Sequence, residues 1–278
     1  MLASVPEVAE HAAQGVIASL YQDIRLVTGA ELVNLVYRHL ATDPAVLAWA
    51  WATLRPHFIS GLLPAQAAAL RTGVETRNRA SLAATGPALP SCATLALPVI
   101  RTYCHTNCLN MIALTHLLGG QPPAGAASPA PAMPPAPALA ASEKLPALPP
   151  LPGWDALSAH TLAIVQRLNQ MAETSPPTVI ASLYRHLACW PALLPAVEGL
   201  LLPLERSQSL LAARIATAQS AAQLAHAQPL VLAPPPAVFR DRFEPLLERL
   251  ANVTIAKMIP IGCLLLEHAV SAGETHPR

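Results

Sequence analysis

Apolar residues recur along this chain at the three- and four-residue spacing of helices, not in the strict alternation of strands. Residues 5–27 read as an opening amphipathic helix, and residues 154–173 read as a second one with Asp155 placed to cap its start. A turn follows each, Thr-Gly-Ala-Glu at 28–31 and Thr-Ser-Pro-Pro at 174–177. In each half the next helix carries Tyr-Arg-His and is predicted to end near Pro44 or Pro191. A third helix then leads to Pro56 or Pro203, where a missing N–H should stop it. Ala-rich helices are predicted over 64–82 and 205–227, followed by proline-rich loops and final helices ending at His116 and His268. The fold class expected is all-α.

The two halves are copies. Tyr37-Arg38-His39-Leu40-Ala41-x-x-Pro44-Ala45-x-Leu47 recurs 147 residues later as Tyr184-Arg185-His186-Leu187-Ala188-x-x-Pro191-Ala192-x-Leu194, and Leu54 and Pro56 pair with Leu201 and Pro203. Ten of the twenty positions from 37 to 56 are identical at that one offset, which points to duplication. A period that long is no solenoid unit. It predicts two tandem helical repeats packed as an intrachain pseudo-dimer about an approximate two-fold axis. Between them, residues 121–153 hold 11 of the chain's 30 prolines and read as an extended Pro/Ala-rich linker. The division expected is therefore 1–120, linker 121–153, and 154–278.

Composition narrows the function. Charged residues are only 12% and the net charge is +1, so an electrostatic footprint for nucleic acid is not expected. The longest uncharged run, 106–142, is broken by prolines, and the apolar stretch at 193–204 is short and interrupted, so no membrane span is expected. The first residues lack a basic segment followed by an apolar one, so a cytoplasmic protein with reduced thiols is expected.

Two groupings carry candidate chemistry. The duplicated Tyr-Arg-His would bring Arg38 and Arg185, or His39 and His186, toward one pocket if the axis runs nearby. Arginine suits bidentate carboxylate recognition, and a histidine pair could hold haem or a metal, or act as acid and base. Alternatively these residues cap turns or bridge the repeats. Cys104 and Cys108, four residues apart, share a helix face, but no second pair follows at zinc-ligand spacing, so buried thiols are the better reading. Glycine-rich phosphate loops, His-Glu-x-x-His and Gly-x-Ser-x-Gly are all missing, and the chain has only 12 glycines.

The stretches Tyr21-x-Asp23-Ile24-Arg25-Leu26, Leu40-Ala41-Thr42-x-Pro44, Leu187-Ala188-x-Trp190-Pro191 and a closing helix around 253–266 resemble the group I, non-stereospecific 2-haloacid dehalogenases. The resemblance spans nearly the whole chain outside the linker. It implies an all-helical tandem pseudo-dimer with the active site between repeats, acting without a cofactor on small 2-halo carboxylic acids. In that family a carboxylate seven residues before the Trp of Trp-Pro activates the water that displaces halide. That place is Leu183 here, which cannot be a base. The serine before it matches Ser182, the family's aromatic pocket wall falls on Leu32 and Leu35, and its Asn-x-x-Tyr becomes Asn107-x-x-Asn110. The resemblance thus implies substrate contacts from Asn107, Asn110, Ser182, Leu183, Leu32, Leu35, Arg38 and Arg185, with His186 as replacement base and Glu173 the other near candidate. A non-hydrolytic binding protein, for a small carboxylate or for haem or a metal through His39 and His186, is the alternative.

Overall fold

A computed structural model describes residues 5–82, 88–119, 148–177 and 179–274; most of the linker, 121–147, lies outside the described residues. Among them the chain forms twelve α-helices and no strand. In the first half these are α1 (Gly15–Thr28), α2 (Leu35–Leu40), α3 (Pro44–Ile59), α4 (Leu62–Ser81) and α5 (Leu97–Gly119). The second half forms α6 (Ala159–Gln170), α7 (Ser182–Leu187), α8 (Leu193–Arg206), α9 (Ser209–Ala227), α10 (Val238–Arg242), α11 (Glu244–Arg249) and α12 (Ala256–Glu274).

The 147-residue offset carries over to helix boundaries. Leu35–Leu40 maps residue for residue onto Ser182–Leu187, and the left-handed joint before α4 at Gly61 (φ 81°) maps onto Gln208 (φ 61°) before α9. Local sequence then sets the differences. Asp43 caps α3 through Ala45 N at 3.0 Å, with Pro44 in the first turn. Trp190 stands at the matching place, and α8 begins at Leu193, two residues after the position that matches Pro44. Further upstream the offset is 143. Gly29 and Ala172 both take the left-handed conformation that ends the first helix of their half, so four extra residues lie in the second half's turn.

Three expectations need correction. α3 and α8 continue past Pro56 and Pro203. Pro56 and Ala52, whose carbonyl loses its partner, are both exposed, so the freed carbonyl is open to solvent. The first helix starts only at Gly15, after a 3-10 turn at Glu10–Ala12. Ser158, not Asp155, caps α6, accepting from Thr161 N at 3.1 Å; Asp155 sits in the turn Trp154–Ala156.

Helices α4, α5, α9 and α12 all pack against one another at the centre. Gln66 on α4 ties them by donating to Leu224 O at 3.0 Å while its carbonyl accepts from His116 Nε2 at 2.8 Å. Two apolar cores flank this centre, and each draws on both halves. One joins α1–α4 and the end of α5 to Leu230, Phe239, Phe243, Leu247 and Leu250 of the second half. The other joins α6–α8 to Leu89, Ala93, Val99, Ile100 and Tyr103 of the first. Each half thus lends the segment leading into its last helix to the other half's core. The continuous run Glu244–Gly273 is, by length and composition alone, long and apolar enough to cross a membrane, and 67% of its most apolar window is buried within the protein. A core helix meets the same test.

Candidate functional site

Where the short Tyr-Arg-His helices α2 and α7 meet the middle of α5, they enclose a cavity of about 380 Å³. Leu32, Leu35, Arg38, Asn107, Asn110, Ser182, Leu183 and Arg185, all eight expected substrate-contact residues, line it. Leu250, Thr254 and Ile255 close one side from a π-helical turn at Leu250–Ile255. Such turns are wider than an α-turn and recur at functional sites.

The polar groups fall into two sets. On the first-half side the residue 5–12 segment folds against α2, with Val8 N donating to Arg38 O at 2.9 Å and Tyr21 Oη to Val8 O at 2.8 Å. It brings Glu7 to 2.7 Å from Arg38 Nε and Glu10 to 3.9 Å from Arg38 Nη1. Glu10 also accepts from Arg25 at 2.8 Å and from Val33 N at 3.1 Å. Both carboxylates reach the cavity; both oxygens of Glu10 accept hydrogen bonds, whereas Glu7 is paired with Arg38 through Oε2 alone.

The second-half side has no such counter-ion. Among the described residues no carboxylate lies within ion-pair distance of Arg185. Its Nε is buried without a partner, and its guanidinium stacks over the Trp154 ring at 4.8 Å. Burial above all pulls its pKa below the usual arginine range and Arg38 adds to this, while Tyr103 and, more weakly, Glu7 oppose it. Asn107 and Asn110, on the same face of α5, are buried and their side-chain amides make no hydrogen bond within the described protein. An uncompensated cation beside two free amides is a place for an anion.

The histidines lie elsewhere. His186 is fully buried behind the cavity wall, its Nε2 2.8 Å from Pro149 O and its Nδ1 2.9 Å from Tyr103 Oη. Thus His186, expected to be the base, does not reach the cavity; Tyr103 does, and stands between. His39 contacts Pro6 O through Nδ1 at 2.7 Å and packs on Phe243 at 5.2 Å, with Nε2 buried and unpartnered. The two rings therefore have separate surroundings, and the described residues contain no group of three His, Cys, Asp or Glu that could hold a metal. Glu173, the other base candidate, is buried in an ion pair with Lys257 at 2.7 Å and does not line the cavity. Asp23 is equally occupied, accepting from Trp51 at 2.6 Å and from Arg55, which holds its carboxyl below the usual range. Cys104 and Cys108 are buried free thiols. The Cys104 contact with Cys263 and then burial push its thiol up, and burial does the same to Cys108.

Sequence reasoning missed Tyr103, Glu7, Glu10 and Trp154. Only Tyr103 carried a usable signal, since 103, 107 and 110 form one helical stripe.

No protein-family model and no curated protein sequence matches this chain. Solved structures do. A D-2-haloacid dehalogenase in complex with L-LA matches at TM-score 0.67 and 18% identity, over 97% of this chain and 97% of that one. A D-2-haloacid dehalogenase mutant matches at 0.66 and 18%, over 99% and 97%, and a mutant with D-2-CPA at 0.64 and 18%, over 96% and 94%. The chain has the fold of those dehalogenases.

Proposed function

We propose that this protein is a dehalogenase-like hydrolase whose cavity binds small 2-substituted carboxylic acids, within two repeats that form an intrachain pseudo-dimer. The observation that carries this reading is the unpaired Arg185 guanidinium beside the free Asn107 and Asn110 amides. Arg185 takes the substrate carboxylate. The amides and Ser182 orient the 2-substituent, and Leu32, Leu35 and Leu183 supply an apolar wall for the α-carbon side chain. A neutral apolar floor strengthens the charge pairing by excluding water.

The fold likeness supports a displacement of the 2-substituent by water, acting on both enantiomers as the sequence resemblance implies. A second reading, binding without turnover, is favoured by one observation: Leu183 occupies the place of the family's carboxylate, and both carboxylates at the cavity are in ion pairs.

The test is calorimetric binding of (R)- and (S)-2-chloropropionate together with halide release at mildly alkaline pH. Binding that weakens about ten- to a hundredfold in Arg185→Gln, the span expected for a lost charge-assisted contact, supports the site. Halide release supports the hydrolase, and binding without release supports the second reading. No binding of either enantiomer sinks both.

A further inference from the structure

We propose that Tyr103, backed by His186, is the proton acceptor of this cavity, taking the proton of the attacking water as it passes its own to His186. The inference rests on the reading that a small 2-substituted carboxylate occupies the site.

Hydrogen-bond geometry fixes the direction of the chain. The Pro149 carbonyl can only accept, so His186 Nε2, 2.8 Å away, carries the ring hydrogen. Nδ1 is then a bare lone pair, and Tyr103 Oη at 2.9 Å must donate to it. With that hydrogen committed inward, the phenol oxygen offers only lone pairs on its other side; Ser182, also in the cavity wall, donates to one of them, and the other is left to a water. An acceptor of that kind holds a water by one of its hydrogens and leaves the water's own lone pair free for attack. The same logic, a donor ordered by a histidine whose other nitrogen is fixed from behind, operates in nucleophilic triads.

The other acceptors at the cavity are few. Both oxygens of Glu10 accept hydrogen bonds, and Leu183 has no basic lone pair. Among the described lining residues the rivals are exposed His11 and Glu7, whose Oε2 is paired with Arg38. The groups acting on His186 are Tyr103 from α5, Arg185 from its own helix and the Pro149 carbonyl, while Arg38, Arg185, Ser182 and Cys189 act on the Tyr103 end. Burial and then Arg185 hold His186 below the usual histidine range, opposed by the Pro149 bond. A carboxylate seated on Arg185 cancels the Arg185 contribution, so the relay gains proton affinity when substrate is in place.

The step balances without a co-reactant. The water oxygen bonds to the α-carbon as the carbon–halogen bond breaks, and halide leaves with the bonding pair. The water's proton goes to Tyr103 Oη, and the Tyr103 proton goes to His186 Nδ1. The imidazolium, still donating from Nε2 to Pro149 O, returns its proton through Tyr103 to solvent water after product leaves. Tyr103 is the catalytic residue here and His186 a positioning residue that acts through it.

The experiment follows halide release from 2-chloropropionate between pH 5 and 9 in the wild type, Tyr103→Phe, His186→Asn and His11→Gln. In parallel, the His186 ring is titrated by NMR with and without saturating propionate. Expected are a fall in kcat of about a hundredfold or more in Tyr103→Phe, the span of a lost acid–base group, with KM nearly unchanged. The wild-type rate should fall on the acid side as His186 protonates, and His186→Asn should lose that limb. Propionate should raise the His186 pKa. A Tyr103→Phe enzyme that keeps its kcat overturns the relay while the hydrolase reading survives, as does a loss confined to His11→Gln. If the wild type releases no halide from either enantiomer, the hydrolase reading falls and the relay with it.

Discussion

Helices α2 and α7 have the same Tyr-Arg-His sequence and the same boundaries, yet their arginines and histidines are wired differently. Each histidine contacts the carbonyl of an equivalent proline, Pro6 for His39 and Pro149 for His186. Each also carries an aromatic ring lent by the opposite half, Phe243 on His39 and Tyr103 on His186. The first copy meets Phe243, and its Nε2 is left without a partner. The second meets Tyr103, whose hydroxyl connects the ring to the cavity. Arg38 is neutralised by Glu7 and Glu10, whereas Pro150 and Gly153 stand at the matching places ahead of α7 and Arg185 keeps its charge. The repeated sequence gives the two helices the same boundaries, and the segments laid over them leave Arg38 ion-paired and Arg185 without a carboxylate partner among the described residues.

The comparison can be broken most forcefully through stability. The second half hides the Lys257–Glu173 pair, with both side chains at most 2% exposed, where the first has Ala30 opposite Glu173 at the 143-residue offset. Lys257→Met leaves Glu173 buried and unpaired and should lower the free energy of unfolding by about 3–5 kcal/mol, read from denaturant midpoints. Next comes the asymmetry of the arginines. Arg185→Gln should weaken propionate binding by about ten- to a hundredfold, and Arg38→Gln, which removes an already neutralised cation, by clearly less. Equal losses would mean that both arginines face the ligand.

A smaller effect concerns acid. Burial, and then His57, lower His116 to about 4. A histidine with a depressed native pKa binds fewer protons folded than unfolded. Its contribution is therefore fully present above the unfolded value near 6.5 and is lost as pH falls toward about 4. The urea midpoint should drop across that window, and His116→Gln should flatten part of the drop. The smallest effect returns to the duplicated joint. Gln208 adopts φ 61° where the first half uses Gly61, so Gln208→Gly should stabilise by about 1 kcal/mol or less, and Gly61→Gln should destabilise. Thermal unfolding of both variants checks the pair.

Much of the site was legible. The family resemblance pointed to Asn107, Asn110, Leu32, Leu35, Ser182 and Leu183, and the repeated motif to Arg38 and Arg185; all eight line one cavity. The role of His186 was not legible. Its position on α7 is set locally, but whether it faces the cavity or stands behind Tyr103 depends on where α5 crosses. The stops expected at Pro56 and Pro203 also failed: each proline stands three residues before the end of its helix, so only the last turn lies beyond it.

The all-α class follows from the apolar period of the sequence, the 147-residue internal repetition can be read from it directly, and the family resemblance named the residues that line the cavity. Only the tertiary structure decided that the halves exchange the segments before their last helices, that Glu7 and Glu10 silence Arg38 alone, and that Tyr103 backs onto His186. Those facts rest on contacts such as Glu7–Arg38, Tyr103–His186 and His39–Phe243, between residues 31 to 204 positions apart, which packing selects and local pattern does not encode.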